Sequence, residues 1–289
     1  MRLLVDWGSS GFRVWASEGQ SVRELRRSSQ GVFSFSTFKE RERFLVETMR
    51  EWESEITEVM AIGMVGSAAG IAELTPLPLP LGIDSLQEGI VTVPLESSLV
   101  NCIRVAPGAQ VSLGSRVDLM RGEEVQALSL GVETGLVIAP GTHSKHIEVS
   151  GGRIQNFQTA LSGELFEAIR RMPSIAGALN SLESEGISDD DFAAGVEQSS
   201  GPLQRELFMI RTGQLFETKS REWASYLSGL LIGYEIRTMV LGLAHENTHL
   251  VGSGNITALY SQAFDFFDVD VVTHDEKAVI KNVFESFFH

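Results

Sequence analysis

The chain has a single cysteine, Cys102, so it forms no internal disulfide, and a small framework of stapled loops is excluded. That scarcity fits a reducing compartment, and the expected address is the cytoplasm. Cations are also few: 23 Lys plus Arg stand against 38 Asp plus Glu, a formal net charge of −15. Such a field repels phosphate backbones and anionic bilayers over most of the surface, so neither nucleic acid nor a membrane is an expected partner. An anionic ligand then has to be held by a local arrangement of backbone N–H groups, a few cations or a bound metal ion. Long hydrophobic runs are missing too. Met1–Val5 is cut short by Asp6 and lacks the length of a signal-peptide core. The stretch from Tyr226 to Ala244 carries Glu235 and Arg237 near its middle, where lipid would penalise them, so no membrane span is expected.

What remains is the composition of an ordinary globular protein. With 289 residues, 43% of them hydrophobic, the chain can bury one large or two moderate cores. The 28 glycines and 8 prolines are too few for a collagenous or low-complexity chain. The N-terminus reads as three short strands, Arg2–Trp7, Phe12–Ser17 and Ser21–Ser28, the first two joined by Gly8-Ser9-Ser10-Gly11. Apolar residues at helical spacing between Thr37 and Ile56 predict an amphipathic helix, and Glu58–Met64 a buried strand. Pro76, Pro78 and Pro80 predict an extended surface segment, followed by strands near Ile90–Val93 and Cys102–Val105 and a helix from Arg121 to Gly131. From Leu136 the opening pattern returns: strand, a Pro140-Gly141-Thr142 break, strand to Val149, a Gly151-Gly152 turn, strand Arg153–Gln158. Helices are expected over Gly163–Met172, Ile175–Glu185, Asp189–Ser199, Pro202–Thr212 and Ser220–Ala244. They are followed by strand His249–Val251, helix Ile256–Phe267, strand Val269–Val272 and helix Glu276–Phe287. Strands interleaved with helices in this order make an α/β protein of mixed sheets, with a domain boundary expected at 134/135.

Four segments carry potential chemistry. Asp6-Trp7-Gly8-Ser9-Ser10-Gly11 places a carboxylate at a strand end before a glycine and serine turn, where N–H groups and hydroxyls can meet a phosphate and the Asp can hold Mg²⁺ through water. Ala139-Pro140-Gly141-Thr142-His143-Ser144-Lys145 occupies the equivalent turn of the second block. Either alone is an ordinary hairpin turn. Two, opening two like blocks, suit a polyphosphate clamped between them across a cleft. Val251-Gly252-Ser253-Gly254-Asn255 runs from a strand through glycines into a helix, which suits a nucleotide, although Thr257 stands where the dinucleotide fingerprint wants its third glycine. Asp118-Leu119-Met120-Arg121-Gly122-Glu123-Glu124 puts carboxylates in a first helical turn, where one can accept a proton from an attacking hydroxyl or simply complement the helix dipole. His245-Glu246-Asn247-Thr248-His249 matches the H-E-x-x-H zinc pattern, but it falls where a helix gives way to a strand, so it is read as chance.

Taken together, these segments resemble the 2-dehydro-3-deoxygalactonokinase family of sugar kinases. The resemblance runs through nearly the whole chain. It rests on Val5-Asp6-Trp7-Gly8-Ser9-Ser10 with Arg13, Gly63-Met64-Val65-Gly66-Ser67, Met120 to Glu124, Pro140 to Lys145, Ser162-Gly163-Glu164-Leu165-Phe166 and Leu227 to Gly233. It implies two ribonuclease-H-like α/β domains around a cleft, the actin/hexokinase-type ATPase fold. Residues 1–134 would carry the first phosphate loop, sugar-binding segments and catalytic carboxylate, and 135–289 the second phosphate loop and adenosine loop. It implies ATP and Mg²⁺, with transfer to the 6-hydroxyl of 2-dehydro-3-deoxy-D-galactonate. Glu123 is the implied base, with Glu124 in reserve, and Asp6 holds Mg²⁺ through water. Gly8, Ser9, Ser10, Gly141, Thr142, His143, Lys145, Gly252, Ser253, Gly254 and Asn255 face the nucleotide, and Arg13, Gly66, Ser67, Arg121 and Glu164 the sugar acid. Members of that family usually carry Arg-Gln-Gly-Trp after Gly66-Ser67, where this chain has Ala68-Ala69-Gly70-Ile71. A guanidinium is poorly replaced as a carboxylate partner, so the exact sugar stays open, with Arg13 or Arg121 to supply the charge. Three alternatives stand beside this reading: a kinase of another keto-deoxy acid or sugar, a non-catalytic sugar-acid sensor, and a zinc hydrolase through His245 and His249. A homo-oligomer is compatible with the sequence.

Overall fold

The structure is a computed structural model that describes residues 1–19, 21–96, 100–175, 187–216, 221–241, 247–252 and 254–288. The expected helix over Ile175–Glu185 lies almost entirely outside them, as do Ser253, His245 and Glu246. In chain order the first elements are β1 (Arg2–Trp7), β2 (Phe12–Glu18) and β3 (Ser21–Ser28), then α1 (Phe38–Met49), β4 (Glu58–Gly63), β5 (Leu77–Pro78), α2 (Ile83–Gly89), β6 (Val91–Pro94) and β7 (Cys102–Val105). There follow β8 (Ala109–Leu113), β9 (Arg116–Met120), α3 (Glu123–Ser129), β10 (Thr134–Ala139), β11 (Ser144–Ser150) and β12 (Arg153–Ala160). The remainder comprises α4 (Ser162–Arg170), α5 (Asp189–Gln198), α6 (Leu203–Phe216), α7 (Trp223–Met239), β13 (Thr248–Val251), α8 (Gly254–Phe266), β14 (Val271–His274) and α9 (Glu276–Phe287).

Strand order repeats between the two larger sheets. One runs β3-β2-β1-β4-β7-β6 and the other β12-β11-β10-β13-β14, so in each a meander of three strands is extended from its first strand by later crossovers. In the first sheet β1 pairs antiparallel with β2 and parallel with β4, with Trp7 opposite Gly63. A small sheet of order β5-β8-β9 joins Leu77–Pro78 of the proline segment to a hairpin that the sequence reading left as loop. Helix α1 starts where predicted because Thr37 and Glu40 form a capping box: the Thr37 side chain accepts from the Glu40 N–H, and the Glu40 carboxylate accepts from the Thr37 N–H at 3.1 Å.

By compactness the chain divides into Met1–Val137, Ile147–Phe157 and His274–His289 as one unit, and Ile138–His146 with Gln158–Thr273 as the other. In the first unit the strands of the first sheet bury Leu3, Val5, Val14, Ala61 and Val105, together with Trp7 and Phe12. The rings of Trp7 and Phe12 meet edge-on with centroids 5.2 Å apart, and Phe44 packs on both. Helix α9 belongs to this unit. Asp275 caps it, accepting from the Ala278 N–H, and its last carbonyls are held by side chains: Gln87 on Ser286 at 2.5 Å and Arg104 on Phe287 at 2.9 Å.

In the second unit α5 and α7 pack at backbone contact. A Cβ on Gly229 would lie 2.0 Å from the Phe192 carbonyl oxygen, and one on Gly195 would lie 2.1 Å from that of Tyr226. Neither oxygen can withdraw without breaking its own helix. Gly229→Ala is therefore expected to lower stability by about 2 kcal/mol or more, by overpacking. Denaturant unfolding checks this, and a change under about 0.5 kcal/mol would contradict the close approach.

Candidate active site

Asp6 is buried one residue before the end of β1, and the antiparallel register sets Arg13 of β2 directly across from it. Their side chains meet at 2.6 Å, and the other arm of the guanidinium bonds Glu276 in the first turn of α9. Asp6 beside it raises the Arg13 pKa above its ordinary value against the lowering effect of burial, and Glu276 adds to the rise. The sequence reading gave Asp6 and Arg13 separate partners; the structure makes them one ion pair. The turn between them is closed by the Gly8 N–H donating to the Gly11 carbonyl at 2.8 Å, and the Gly8 carbonyl accepts from Val32 N–H at 3.0 Å. Ser9 is half-buried and Ser10 exposed in that turn.

The ends of β1 and β4 meet the start of α3 through bare backbone. Gly63, at φ +89°, lies so close to Trp7 that a Cβ would fall 2.6 Å from the Trp7 carbonyl oxygen. Gly122, at φ +107°, lies in turn against Gly63, where a Cβ would be 3.2 Å from the Gly63 nitrogen. Both positions need glycine for conformation and for space. The contact delivers Glu123 and Glu124 to the strand ends that carry Asp6. Glu123 is half-buried and accepts from the Arg121 N–H at 3.1 Å. Glu124 is fully buried: one oxygen accepts from the Gly122 N–H at 2.7 Å, and the other has no hydrogen-bond partner among the described residues. Burial, and then the charge of Glu123, push the Glu124 carboxyl up to about 8.

Arg121 and Ser67, both expected at the sugar, face the protein itself. The Arg121 guanidinium donates to the carbonyls of Gly66 at 2.7 Å, Leu74 at 3.1 Å and Pro107, and burial lowers its pKa. It is a strut of the Gly66 turn. The Ser67 hydroxyl donates to the Met64 carbonyl at 2.7 Å. Ala68 is exposed beside it, while Ile71 is buried and its N–H bonds the Val65 carbonyl.

In the second unit the Pro140–His143 turn is set against the start of α4. A Cβ on Gly163 would fall 2.3 Å from the Gly141 carbonyl oxygen, and the Glu164 N–H donates to the Thr142 carbonyl at 3.0 Å. The Glu164 carboxylate reaches back to His143 Nε2 at 2.6 Å, so these two expected site residues bond each other. Gly252 lies next to the same turn, since a Cβ there would be 3.7 Å from Pro140 Cδ, and Gly254 and Asn255 open α8 with their surfaces exposed. Lys145 follows the turn on β11. It is buried, with its ammonium donating to Thr159 Oγ1 at 3.0 Å. His249 stands on strand β13 rather than on a helix, and burial lowers its pKa. Among the described residues no three His, Cys, Asp or Glu side chains converge as a metal cage.

The sequence reading passed over Glu276, which shares Arg13 with Asp6, and Glu235, which is buried among Tyr260, His146 and Ser162. A carboxylate inside the apolar run of α7 was the available signal for the second. The first comes from 263 residues beyond Arg13 and had none.

Residues 6–285 match the family model described as 2-keto-3-deoxy-galactonokinase. The chain is 33% identical over 275 residues to the 2-dehydro-3-deoxygalactonokinase of Escherichia coli K12, a match that spans 93% of this chain and 91% of that one. A crystal structure from Sinorhizobium meliloti, described as a candidate 2-dehydro-3-deoxygalactonokinase, superposes with a TM-score of 0.86 at 28% identity, covering 99% of this chain and 95% of the other. A candidate N-acetylglucosamine kinase of Porphyromonas gingivalis shares the fold at a TM-score of 0.51 and 16% identity, with 98% of each chain covered. The architecture is thus that of the actin/hexokinase-type ATPases. No described helix is long and apolar enough to cross a membrane. The chain belongs to the 2-keto-3-deoxy-galactonokinase family and is a phosphotransferase acting on an alcohol group.

Proposed function

We propose that the chain transfers the γ-phosphoryl group of ATP to the 6-hydroxyl of 2-dehydro-3-deoxy-D-galactonate, in the cytoplasm, as a step of galactonate breakdown. The Escherichia coli relative, named as a 2-dehydro-3-deoxygalactonokinase, supports the substrate. The catalytic assignment rests on one observation: the Gly63–Gly122 contact, which brings Glu123 to the strand ends that carry Asp6. In this reading Glu123 accepts the proton of the attacking hydroxyl. Glu124 is unsuited to that role, because it is fully buried and keeps its own proton up to about pH 8. The Gly8–Ser10 turn of residues 1–134 and the Gly141–His143 turn of residues 135–289 hold the phosphates. Gly252 to Asn255 receive the adenosine, with Ser253 among them though outside the described residues. Lys145 contributes its positive charge from behind its turn, and Arg13 keeps Asp6 oriented.

Kinases of this kind use Mg²⁺ held by phosphate oxygens and water with one or two carboxylates, so a single Asp6 with one oxygen on Arg13 fits as its protein anchor. When bound, the ion would neutralise charge on the transferring phosphoryl group.

A second reading, a kinase of a neutral sugar, is favoured by Ala68-Ala69 and by the commitment of Arg121 to three carbonyls. Neither supplies a cation for a substrate carboxylate. A coupled ADP-release screen over 2-keto-3-deoxy sugar acids and plain hexoses separates the two. 2-Dehydro-3-deoxy-D-galactonate should give the highest kcat/KM, and preference for a hexose would overturn the first reading.

Two substitutions test the carboxylates. Glu123→Gln should keep ADP affinity and lose about 10²-fold or more in kcat, the usual scale of a general base. Turnover near that of the parent would move the base elsewhere. Glu124→Gln should retain turnover and change how stability depends on pH. The folded protein holds the Glu124 proton to about pH 8, whereas the unfolded chain releases it near 4.5, so the parent loses stability as pH rises between those values. The slope can reach about 1.4 kcal/mol per pH unit, and the Gln variant should lack it. Parallel stability profiles from pH 4.5 to 8 would contradict the buried neutral carboxyl.

A further inference from the structure

We infer that Glu235 is a positioning residue for the nucleotide subsite, acting through a buried hydrogen-bonded hub that ties the Pro140–His143 turn, the start of α4 and helix α8 to α7. The inference rests on the reading of those turns as the place where ATP binds.

The hub is built from residues far apart in sequence. Glu235 Oε1 meets His146 Nε2 at 2.7 Å, and Oε2 accepts from the Tyr260 hydroxyl at 2.9 Å and from Ser162 Oγ. Ser144 Oγ lies 2.8 Å from the Tyr260 oxygen. Tyr260 has one proton and gives it to Glu235, so Ser144 is the donor in that pair. His146 Nδ1 meets no partner among the described residues, which favours the tautomer with the proton on Nε2, pointing at Glu235. Glu235, His146, Tyr260 and Ser144 are exposed by 3%, 2%, 1% and 1%, so the bonds among these four are out of water, and the bond from Ser162 is part-buried. Burial and the Glu235 charge hold the Tyr260 phenol well above its ordinary pKa, and it stays a donor.

Burying a carboxylate is costly, and filling that space with apolar side chains is commonly the more stable solution. The hub therefore calls for a reason other than stability, and its placement supplies one. Ser144 is two residues beyond Thr142. Ser162 begins α4, whose Gly163 abuts the Gly141 carbonyl and whose Glu164 N–H bonds the Thr142 carbonyl. Tyr260 lies on α8, the helix that Gly254 and Asn255 open. Two of the four segments that meet at Glu235 thus carry residues assigned to ATP, α4 braces the first of them through Gly163 and Glu164, and α7 supplies the fixed point. Phosphate-binding turns must be held to a fraction of an ångström, a precision that rigid buried bonds provide and loose apolar packing does not.

Tyr260→Phe removes one proton from the hub and keeps the ring. It should raise the KM for ATP about 5- to 10-fold and weaken ADP binding per folded molecule to match, while kcat and the KM for the sugar acid stay within about 2-fold. Glu235→Gln turns one acceptor into a donor facing donors and should act in the same direction more strongly. If that variant does not fold, Tyr260→Phe and Ser162→Ala carry the test. Ile210→Val, a buried change on α6 away from the hub, should lower stability and leave the KM for ATP unaltered. Thr142→Ala separates the two levels of the argument. If it leaves the KM for ATP unchanged, the subsite reading falls and the inference with it. If it raises the KM while Tyr260→Phe and Ser162→Ala behave as the parent, the inference alone is overturned.

Discussion

The approach of Gly122 to Gly63, and of Gly63 to the Trp7 carbonyl, is the constraint on which the account of the catalytic end depends. Three backbones touch there with no side chain between them. Parallel pairing of β1 with β4 sets Trp7 level with Gly63, and the left-handed turn at Gly122 then starts α3 against that point. Asp6, one residue before Trp7, and Glu123, one after Gly122, owe their proximity in the fold to this contact. A side chain at either glycine would push α3 away from the strand ends. Arg121 reinforces the arrangement from below, since its guanidinium joins the carbonyls of Gly66, Leu74 and Pro107 next to the same turn.

Two neighbouring carboxylates are driven apart chemically by a small difference in depth. Glu124 faces inward, loses its hydration and holds a proton; Glu123 is half-exposed and keeps contact with solvent. Sequence position alone treats them as equals. Neighbours also part on β11, where Ser144 and His146 join the buried hub while Lys145 between them, buried as well, bonds Thr159. Alternation along a strand assigns these neighbours to different tasks.

Much of this was legible in the residues. The two meanders, the glycine turns between their strands and the last helix after Asp275 follow from local patterns, and the structure has them within a residue or two; the helix after Thr37 starts as expected, but it is α-helical only to Met49 and continues as a 3-10 segment over Arg50–Glu55. Local patterns were less useful where tertiary packing decides. Ile83–Gly89 is too short to show a helical period, and the β8–β9 hairpin carries exposed Val117 and Leu119 beside polar residues, so only its Gly114-Ser115 turn betrayed it. The helix expected over Ser220–Ala244 is observed as Trp223–Met239, with part of the difference outside the described residues. At the site, the order of motifs pointed to the family, but not to which side chains the protein uses for itself. Arg121 and Ser67 are bound to backbone carbonyls, and Arg13 is shared by Asp6 and Glu276. The hairpin register alone would have paired residues 6 and 13, because they stand equally far from the Gly8–Gly11 turn. Glu276 and the hub around Glu235 arise from long-range contacts that no local period encodes.

The central claim is that Glu123 receives the proton of the hydroxyl that attacks ATP. A crystal structure of the ternary complex with a nonhydrolysable ATP analogue and 2-dehydro-3-deoxy-D-galactonate tests it most directly. The account predicts the acceptor hydroxyl within hydrogen-bond distance of a Glu123 carboxylate oxygen and in line with the terminal phosphate. A hydroxyl bonded instead to another carboxylate, with Glu123 turned away from it, would contradict the account.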